Sequence, residues 1–175
     1  TSKSTICSIM FPAWCWVNDP TLKFISGSYS ATLASDHSMK ARDVLKSDKF
    51  LELYPGRVEF KKDMDLKQSY QNTANGVRVS AGVGGGVTGL HAHILLVDDP
   101  LNPKQAASTV EVKNASDWLT KTLSTRKVDK QLTPTILIMQ RLAEDDPTGH
   151  LLEKGNRIRH ICLPAEISDL DNIKP

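Results

Sequence analysis

Apolar residues near the start of the chain recur at helical spacing. They predict a helix over residues 4–16 with one apolar face. The members of that face are Ile6, Ile9, Met10, Ala13, Trp14 and Val17. Because proline has no backbone N–H, Pro12 is expected to kink this helix or to end its regular part. We expect Ile6, Met10 and Trp14 to pack against a sheet.

Three short apolar runs predict the strands of that sheet. They lie near Phe24, Leu95 and Ile136, and each ends in small or polar residues, so we expect neighbouring strands. Residues 94–97 are continuously apolar, as is typical of a parallel strand buried on both faces. Residues 133–140, with the sequence "TPTILIMQ", are interpreted as another buried strand. Residues 56–80 alternate weakly and contain turn residues, which indicates short antiparallel strands.

Helix signals lie between these runs. Ser30 is suited to cap a helix that continues to about Leu45. Its inner face would hold Ala34, His37, Ala41, Val44 and Leu45. A helix over residues 108–123 would bury Ala115, Trp118, Leu119 and Leu123. Asp146 and Pro147 begin a short helix through Glu153. The alternation predicts an α/β fold whose mostly parallel central sheet is covered by helices on both faces.

Composition adds few constraints. The 175 residues, 39% hydrophobic and 24% charged, are sufficient for one soluble domain with a core. A net charge of +2 does not by itself indicate nucleic-acid binding, so any DNA contact would need a local patch. Three cysteines without a CxxC pair fit a reducing compartment better than disulfides or a zinc site. No apolar run is long enough to span a membrane.

The opening residues "TSKST" have the composition of the end of a phosphate-binding loop. In such a loop a lysine reaches the outer phosphates and a hydroxyl binds Mg²⁺ at the start of a helix. Lys3 would be that lysine, Ser4 the Mg²⁺ ligand and Thr5 a phosphate contact. A solvated chain end is the alternative explanation for so short a stretch.

The sequence "ILLVDDP" is a stronger signal for chemistry. Asp98 and Asp99 follow an apolar strand and would lie at the carboxyl edge of the sheet, where α/β proteins bind ligands. One carboxylate can belong to a Mg²⁺ shell while the other orients an attacking water. A turn in which Asp99 and Pro100 cap the next element is the alternative. Together with the lysine loop, the pair favours an ATPase.

Gln140 ends the later apolar run at the same predicted edge. An amide there can sense the γ-phosphate and couple its loss to movement of the following residues. A strand-end amide that is hydrogen-bonded to its own loop is the structural alternative.

Other polar residues have simpler explanations. His91 and His93 would share one strand face, but two ligands do not make a zinc site. His37 is best interpreted as a hydrogen-bonded core histidine. The acidic run at residues 144–146 could bind metal, although a helix N-cap at Asp146 explains it better.

These segments, in this order, resemble the ATPase domain of the large terminase subunit of tailed bacteriophages, the motor that packages the viral genome. The resemblance covers nearly the whole chain. Its most specific parts are "VDDP" and "MQRLxEDDxTGHLL", and its least specific part is the lysine loop "SKST".

The resemblance implies a P-loop ATPase fold and a role for each candidate residue. Nucleotide would be bound by Ser2, Lys3, Ser4 and Thr5, with Ser2 standing where the family usually has glycine. Mg²⁺ would be held by Ser4 and Asp98. Asp99 would be the general base, Gln140 the coupling residue, and Arg126 or Arg141 the transition-state arginine.

The resemblance also implies cofactors, partners and boundaries. The cofactors are ATP and Mg²⁺. The partners are double-stranded DNA, the portal of the procapsid, the small terminase subunit and further copies in a ring, in the cytoplasm of a bacterial host. We expect the ATPase domain to cover residues 1–163, beginning inside the phosphate-binding loop without its first strand. Residues 164–175 would begin a linker toward a nuclease domain. A helicase-like or recombination ATPase and a non-catalytic prophage remnant are the alternative functions.

Overall fold

One six-stranded sheet organises the residues that the computed structural model describes, 2–155 and 158–162. Its strands are β1 (Lys23–Ser28), β2 (Phe60–Asp65), β3 (Ser69–Asn72), β4 (Val77–Gly82), β5 (Ile94–Asp98) and β6 (Thr135–Ile138). Their spatial order is β2-β3-β4-β1-β5-β6, and β4, β1, β5 and β6 run parallel. The two pairings that involve β3 are antiparallel. The chain therefore has an α/β fold with a mixed, mostly parallel sheet.

The predicted neighbours in this sheet are confirmed. Phe24 of β1 pairs with Ile94 of β5, and Leu95 pairs with Thr135 of β6. All residues of β5 are buried between these neighbours. The expected antiparallel strands within residues 56–80 are β2, β3 and β4, although β4 also pairs in parallel with β1.

Helices connect the strands. Helix α1 covers residues 2–18 and consists of α-helical Ser2–Ser4, π-helical Thr5–Met10 and α-helical Phe11–Asn18. The others are α2 (Ala31–Lys46), α3 (Asp48–Leu53), α4 (Pro103–Ala106), α5 (Thr109–Asp117) and α6 (Pro147–Glu153). A π turn, Trp118–Thr122, and a 3-10 turn, Leu123–Arg126, extend α5. The predicted caps Ser30 and Asp146 each accept a hydrogen bond from a backbone N–H of the helix that follows.

Each face of the sheet carries its own apolar cluster. On one face Phe24 and Ile94 pack with Trp16 of α1 and Leu45 of α2. On the other, Ile25 and Leu95 pack with Trp118, Leu119 and Leu123, part of the predicted inner face of the second long helix. Because successive strand residues point to opposite faces, the two clusters lie on opposite sides of the sheet.

Gly27 of β1 allows the second cluster to form. A Cβ atom at this position would lie 2.5 Å from Cη2 of Trp118, which is closer than non-bonded carbons approach. The indole therefore lies directly on the strand backbone.

The prediction of which residues of α1 are buried is largely wrong. Ile6, Met10 and Trp14 are 61%, 49% and 62% exposed, whereas Ser8 and Trp16 are buried. The N–H of Phe11 bonds to the carbonyl of Ile6, five residues back, so the helix departs from the 3.6-residue spacing that the prediction assumed. Polar contacts of Ser8, described below, also favour the other face.

The interpretation of residues 133–140 as a buried strand also needs correction. Within the described residues β6 is an edge strand, with Thr135 exposed and Ile136 and Leu137 half-buried. It pairs with β5, and no other described strand pairs with its second edge. Gln140 follows the end of β6 and is exposed.

The predicted linker, residues 164–175, and the boundary at residue 163 lie outside the described residues. In the part of the chain that is described, no helix has both the length and the apolar sequence needed to cross a membrane.

Candidate active site at the carboxyl edge of the sheet

Asp98, the last residue of β5, is the centre of the candidate site. Its side chain is buried and faces helix α1. Ser4 donates a hydrogen bond from Oγ to Oδ1 at 3.1 Å, and Ser8 donates from Oγ to Oδ2 at 2.6 Å. Residues four apart on a helix share a face, so both hydroxyls reach the same carboxylate. The predicted partners Ser4 and Asp98, 94 positions apart, are thus brought together.

Helix α2 contributes His37 to the same carboxylate. Nδ1 of His37 lies 3.3 Å from Oδ2 of Asp98, and the imidazole is largely buried. His37 is therefore largely buried beside an acidic partner, although no hydrogen bond of its side chain is formed among the described residues. That this partner is a residue of the candidate site was not foreseen.

Asp99 forms a strained turn directly after β5. Its φ angle is 46°, in the left-handed region that aspartate tolerates better than most residues. The backbone carbonyl accepts hydrogen bonds from the N–H of Tyr29 and the hydroxyl of Ser28, and the N–H bonds to the carbonyl of Ile138. The turn is therefore held by β6 and by the end of β1.

The pKa of the Asp99 carboxyl is raised above its ordinary value. Burial is the largest cause, and the neighbouring charge of Asp98 is the second. A backbone hydrogen bond from Gln140 and the positive charges of Lys3 and His37 act in the opposite direction. Since a raised pKa makes a carboxylate a stronger base, Asp99 suits proton abstraction better than an ordinary aspartate does.

The same contacts show where the other candidates lie. Lys3 precedes Ser4, which bonds to Asp98, and Gln140 comes two residues after Ile138, which pairs with Asp98, so both are at this edge. Ser2 and Thr5 are exposed on the first turn of α1, beside Lys3 and Ser4.

The two arginine candidates differ in position: Arg126 is far from the site, whereas Arg141 directly follows Gln140. The carbonyl of Arg126 accepts a hydrogen bond from the N–H of Ala92, just before β5 begins, so it is about 20 Å along the strand from Asp98. Arg141 donates from Nε to Oδ2 of Asp146 at 2.9 Å and from Nη2 to the carbonyl of Glu144. Arg141 therefore holds its own loop together.

His93, His91 and Asp146 were given structural explanations from the sequence, and their positions are as follows. Nδ1 of His93 accepts a hydrogen bond from the backbone N–H of Lys23, and His91 is exposed. Asp146 is fully buried and caps α6 through the N–H of Gly149. Across residues 2–155 and 158–162, no group of three or more His, Cys, Asp or Glu side chains could hold a metal ion.

Arg78 of β4 is a buried cation that the sequence reasoning missed. It donates from Nη2 to the carbonyl of Ser8 at 2.8 Å and from Nε to Oγ of Ser26 at 3.1 Å. Within the described chain its Nη1 has no hydrogen-bond partner. Ser8 itself could have been found from its spacing of four from Ser4, but no local pattern distinguishes Arg78 from a surface arginine in a strand.

The site thus offers two hard oxygen ligands, the hydroxyl of Ser4 and a carboxylate oxygen of Asp98, with a lysine and a second carboxylate beside them. Oxygen donors of this kind suit Mg²⁺, which is bound by few protein ligands when phosphates supply others. No protein-family model matches the chain, and no curated protein shows detectable similarity to it.

Proposed function

We propose that the chain is the P-loop ATPase domain of a phage terminase large subunit, which hydrolyses ATP to drive double-stranded DNA into a procapsid. The observation that carries the proposal is the hydrogen bond from Ser4 to Asp98. It joins a hydroxyl next to a lysine at a helix start with a carboxylate at a strand end. These are the two groups that a Mg²⁺–nucleotide site needs together.

Each residue has a role in this proposal. Lys3, with Ser2 and Thr5 on the same turn, would contact the phosphates at the start of α1. Ser4 and Asp98 would hold Mg²⁺, which when bound neutralises charge on the phosphates. Asp99, with its raised pKa, would accept a proton from the attacking water. Gln140, which follows β6, would respond to the γ-phosphate.

The transition-state arginine would come from a neighbouring subunit in this proposal. Arg126 lies at the opposite end of β5, and Arg141 is engaged with Asp146. A ring of subunits would allow an arginine of one copy to reach the site of the next. The portal of the procapsid and the small terminase subunit would be further partners, in the cytoplasm of the bacterial host.

The test is ATP hydrolysis and Mg·ATP binding by the full-length protein with single substitutions. Asp98→Asn should weaken Mg·ATP binding, because a ligand of the cation is lost. Asp99→Asn should leave binding intact and reduce turnover by about 10²–10⁴, as is typical when a general base is removed. Asp63→Asn, at an exposed position of β2, is the matched control. Turnover by Asp99→Asn at the parent rate would refute the catalytic assignment.

A further inference from the structure

The two oxygens of the Asp98 carboxylate have different surroundings. Oδ2 accepts the hydroxyl of Ser8 at 2.6 Å and lies 3.3 Å from Nδ1 of His37. Oδ1 accepts the hydroxyl of Ser4 at 3.1 Å. A carboxylate oxygen has about two lone-pair directions for hydrogen bonds. The protein therefore occupies Oδ2 more fully, and Oδ1 keeps capacity for a further ligand.

Ser8 is held rigidly enough to fix this asymmetry. It is fully buried within the π-helical segment of α1, and its carbonyl accepts a hydrogen bond from Nη2 of Arg78. Arg78 is anchored in turn by the hydroxyl of Ser26 on β1. Ser8 thus joins a buried cation, through its carbonyl, to a buried anion, through its hydroxyl.

His37 approaches the carboxylate from a different element. It belongs to α2, whereas Ser8 belongs to α1, so the two groups meet Oδ2 from separate helices. Ser4 and Ser8 hold the carboxylate from α1 alone. The His37 imidazole, 3.3 Å from Oδ2 on the side of α2, adds a second element that restricts rotation about χ2 of Asp98.

We propose that Ser8 and His37 are positioning residues that hold Oδ2 of Asp98, so that Oδ1, beside the Ser4 hydroxyl, is the oxygen presented to a divalent cation. This inference rests on the function proposed above. It assigns no contact with nucleotide or cation to Ser8 or His37. Their effect passes through the orientation of Asp98.

The expected signature is a change in metal dependence. Replacing groups that orient a metal ligand typically costs about 10–100-fold in metal affinity or activity. Ser8→Ala and His37→Leu should each raise the Mg²⁺ concentration needed for half-maximal ATP hydrolysis by about tenfold. The rate at saturating Mg²⁺ should change much less, because excess cation restores occupancy.

Two further variants separate positioning from general structural damage. In His37→Asn the amide nitrogen takes the place of Nδ1 and retains a donor, so its metal dependence should be close to that of the parent. Ser38→Ala removes another buried hydroxyl of α2, one without a hydrogen-bond partner in the described chain. It should behave like the parent. Urea unfolding of all four variants reports whether each one folds.

The measurement is a Mg²⁺ titration of ATP hydrolysis at saturating ATP by the full-length protein. It is paired with Mn²⁺ binding in the presence of ADP, followed by electron paramagnetic resonance. Parent-like metal dependence in both Ser8→Ala and His37→Leu would overturn the inference and leave the proposed function standing. A lower maximal rate with unchanged metal dependence would also overturn it.

The remaining outcomes are equally decisive. If the parent neither binds Mn²⁺ with ADP nor hydrolyses ATP, the proposed function fails and this inference fails with it. If Ser8→Ala does not fold, the comparison of His37→Leu with His37→Asn decides, because His37 is not fully enclosed and tolerates substitution better.

Discussion

At the scale of single residues, Asp99 combines backbone strain with an unfavourable charge. Its left-handed φ of 46° suits Asn and Gly better than most residues. Its pKa is raised by burial and then by the charge of Asp98. A carboxyl group that is costly to keep ionised, on a residue held in an uncommon backbone conformation, fits a functional role better than a structural one.

This leads to a prediction about stability. Asp99→Asn should stabilise the fold at pH 7, because it removes a half-buried negative charge next to Asp98 and keeps a side chain that accepts the left-handed conformation. The ionised form is disfavoured in the folded state. The gain should therefore be full above the raised pKa and vanish as pH falls toward the ordinary carboxyl value.

Urea unfolding of the parent and of Asp99→Asn between pH 4 and pH 8 measures this gain. Asp63→Asn, at an exposed site, controls for general effects of charge removal. A gain from Asp99→Asn that did not depend on pH would show that the substitution acts on backbone strain instead of charge.

At the scale of elements, the π-helical segment decides which face of α1 is buried. Trp16 packs edge-on against Phe24 and Tyr70 and donates from Nε1 to the carbonyl of Leu22 at 2.9 Å. Trp14, two residues earlier, is exposed and stacks only loosely on Phe11. The burial of Trp16 and the exposure of Trp14 therefore show which side of α1 faces the sheet.

We predict a large difference between truncations of these two side chains. Trp16→Ala should lower the free energy of unfolding by about 3–5 kcal/mol, because it opens a cavity in an aromatic cluster. Trp14→Ala should cost less than about 1 kcal/mol, since its ring is exposed. Chemical denaturation of both variants gives the comparison. The reverse order would mean that Ile6, Met10 and Trp14 face the sheet after all.

Local signals explain which elements could be predicted. Ser30 and Asp146 are caps whose hydrogen bonds lie within three residues. Residues 94–97 of β5 are continuously apolar because both faces of the strand are covered. The buried face of α1 could not be predicted, because a π turn breaks the spacing on which such a prediction depends.

The residues of the candidate site also divide into those that could be predicted from the sequence and those that could not. Ser4 and Asp98 were predictable because each stands at an element end with recognisable neighbours. The contact of His37 with Asp98 was not, since it depends on how α2 lies beside the end of β5. Arg78 lies in a strand whose valines alternate with it, and only the helices above β4 make that position an interior one.

At the scale of the whole molecule, one path leads from the candidate site to helix α6. The backbone N–H of Asp99 bonds to the carbonyl of Ile138, the last residue of β6. Three residues later Arg141 bonds to Asp146, the cap of α6. A change at Asp99 can thus move α6 through a short, well-bonded segment. Such a segment would serve the motor proposed above, which has to convert phosphate chemistry into displacement.

We predict that Gln140→Ala in the full-length protein leaves ATP binding nearly intact while DNA packaging falls much more than ATP hydrolysis. The loss of one neutral hydrogen bond is worth about 1 kcal/mol, which is too little to abolish nucleotide binding. Packaging and hydrolysis should be measured side by side on one preparation, with exposed Gln131→Ala as the control.

Equal losses of packaging and hydrolysis would show that Gln140 serves the chemistry directly. If neither activity fell, Gln140 would be only an amide at the end of a strand, without a role in the reaction.

β6 is the last strand of the sheet in the described part of the chain, and this edge bears on how the protein should behave as its concentration rises. The outward N–H and C=O groups of Thr135–Ile138 lie outside the ladder with β5, and no charged side chain interrupts the strand. Another strand can complete that ladder, whichever molecule supplies it. A net charge of +2 gives little repulsion between copies. In the described part of the chain we therefore expect self-association to begin at the 4 residues of this edge.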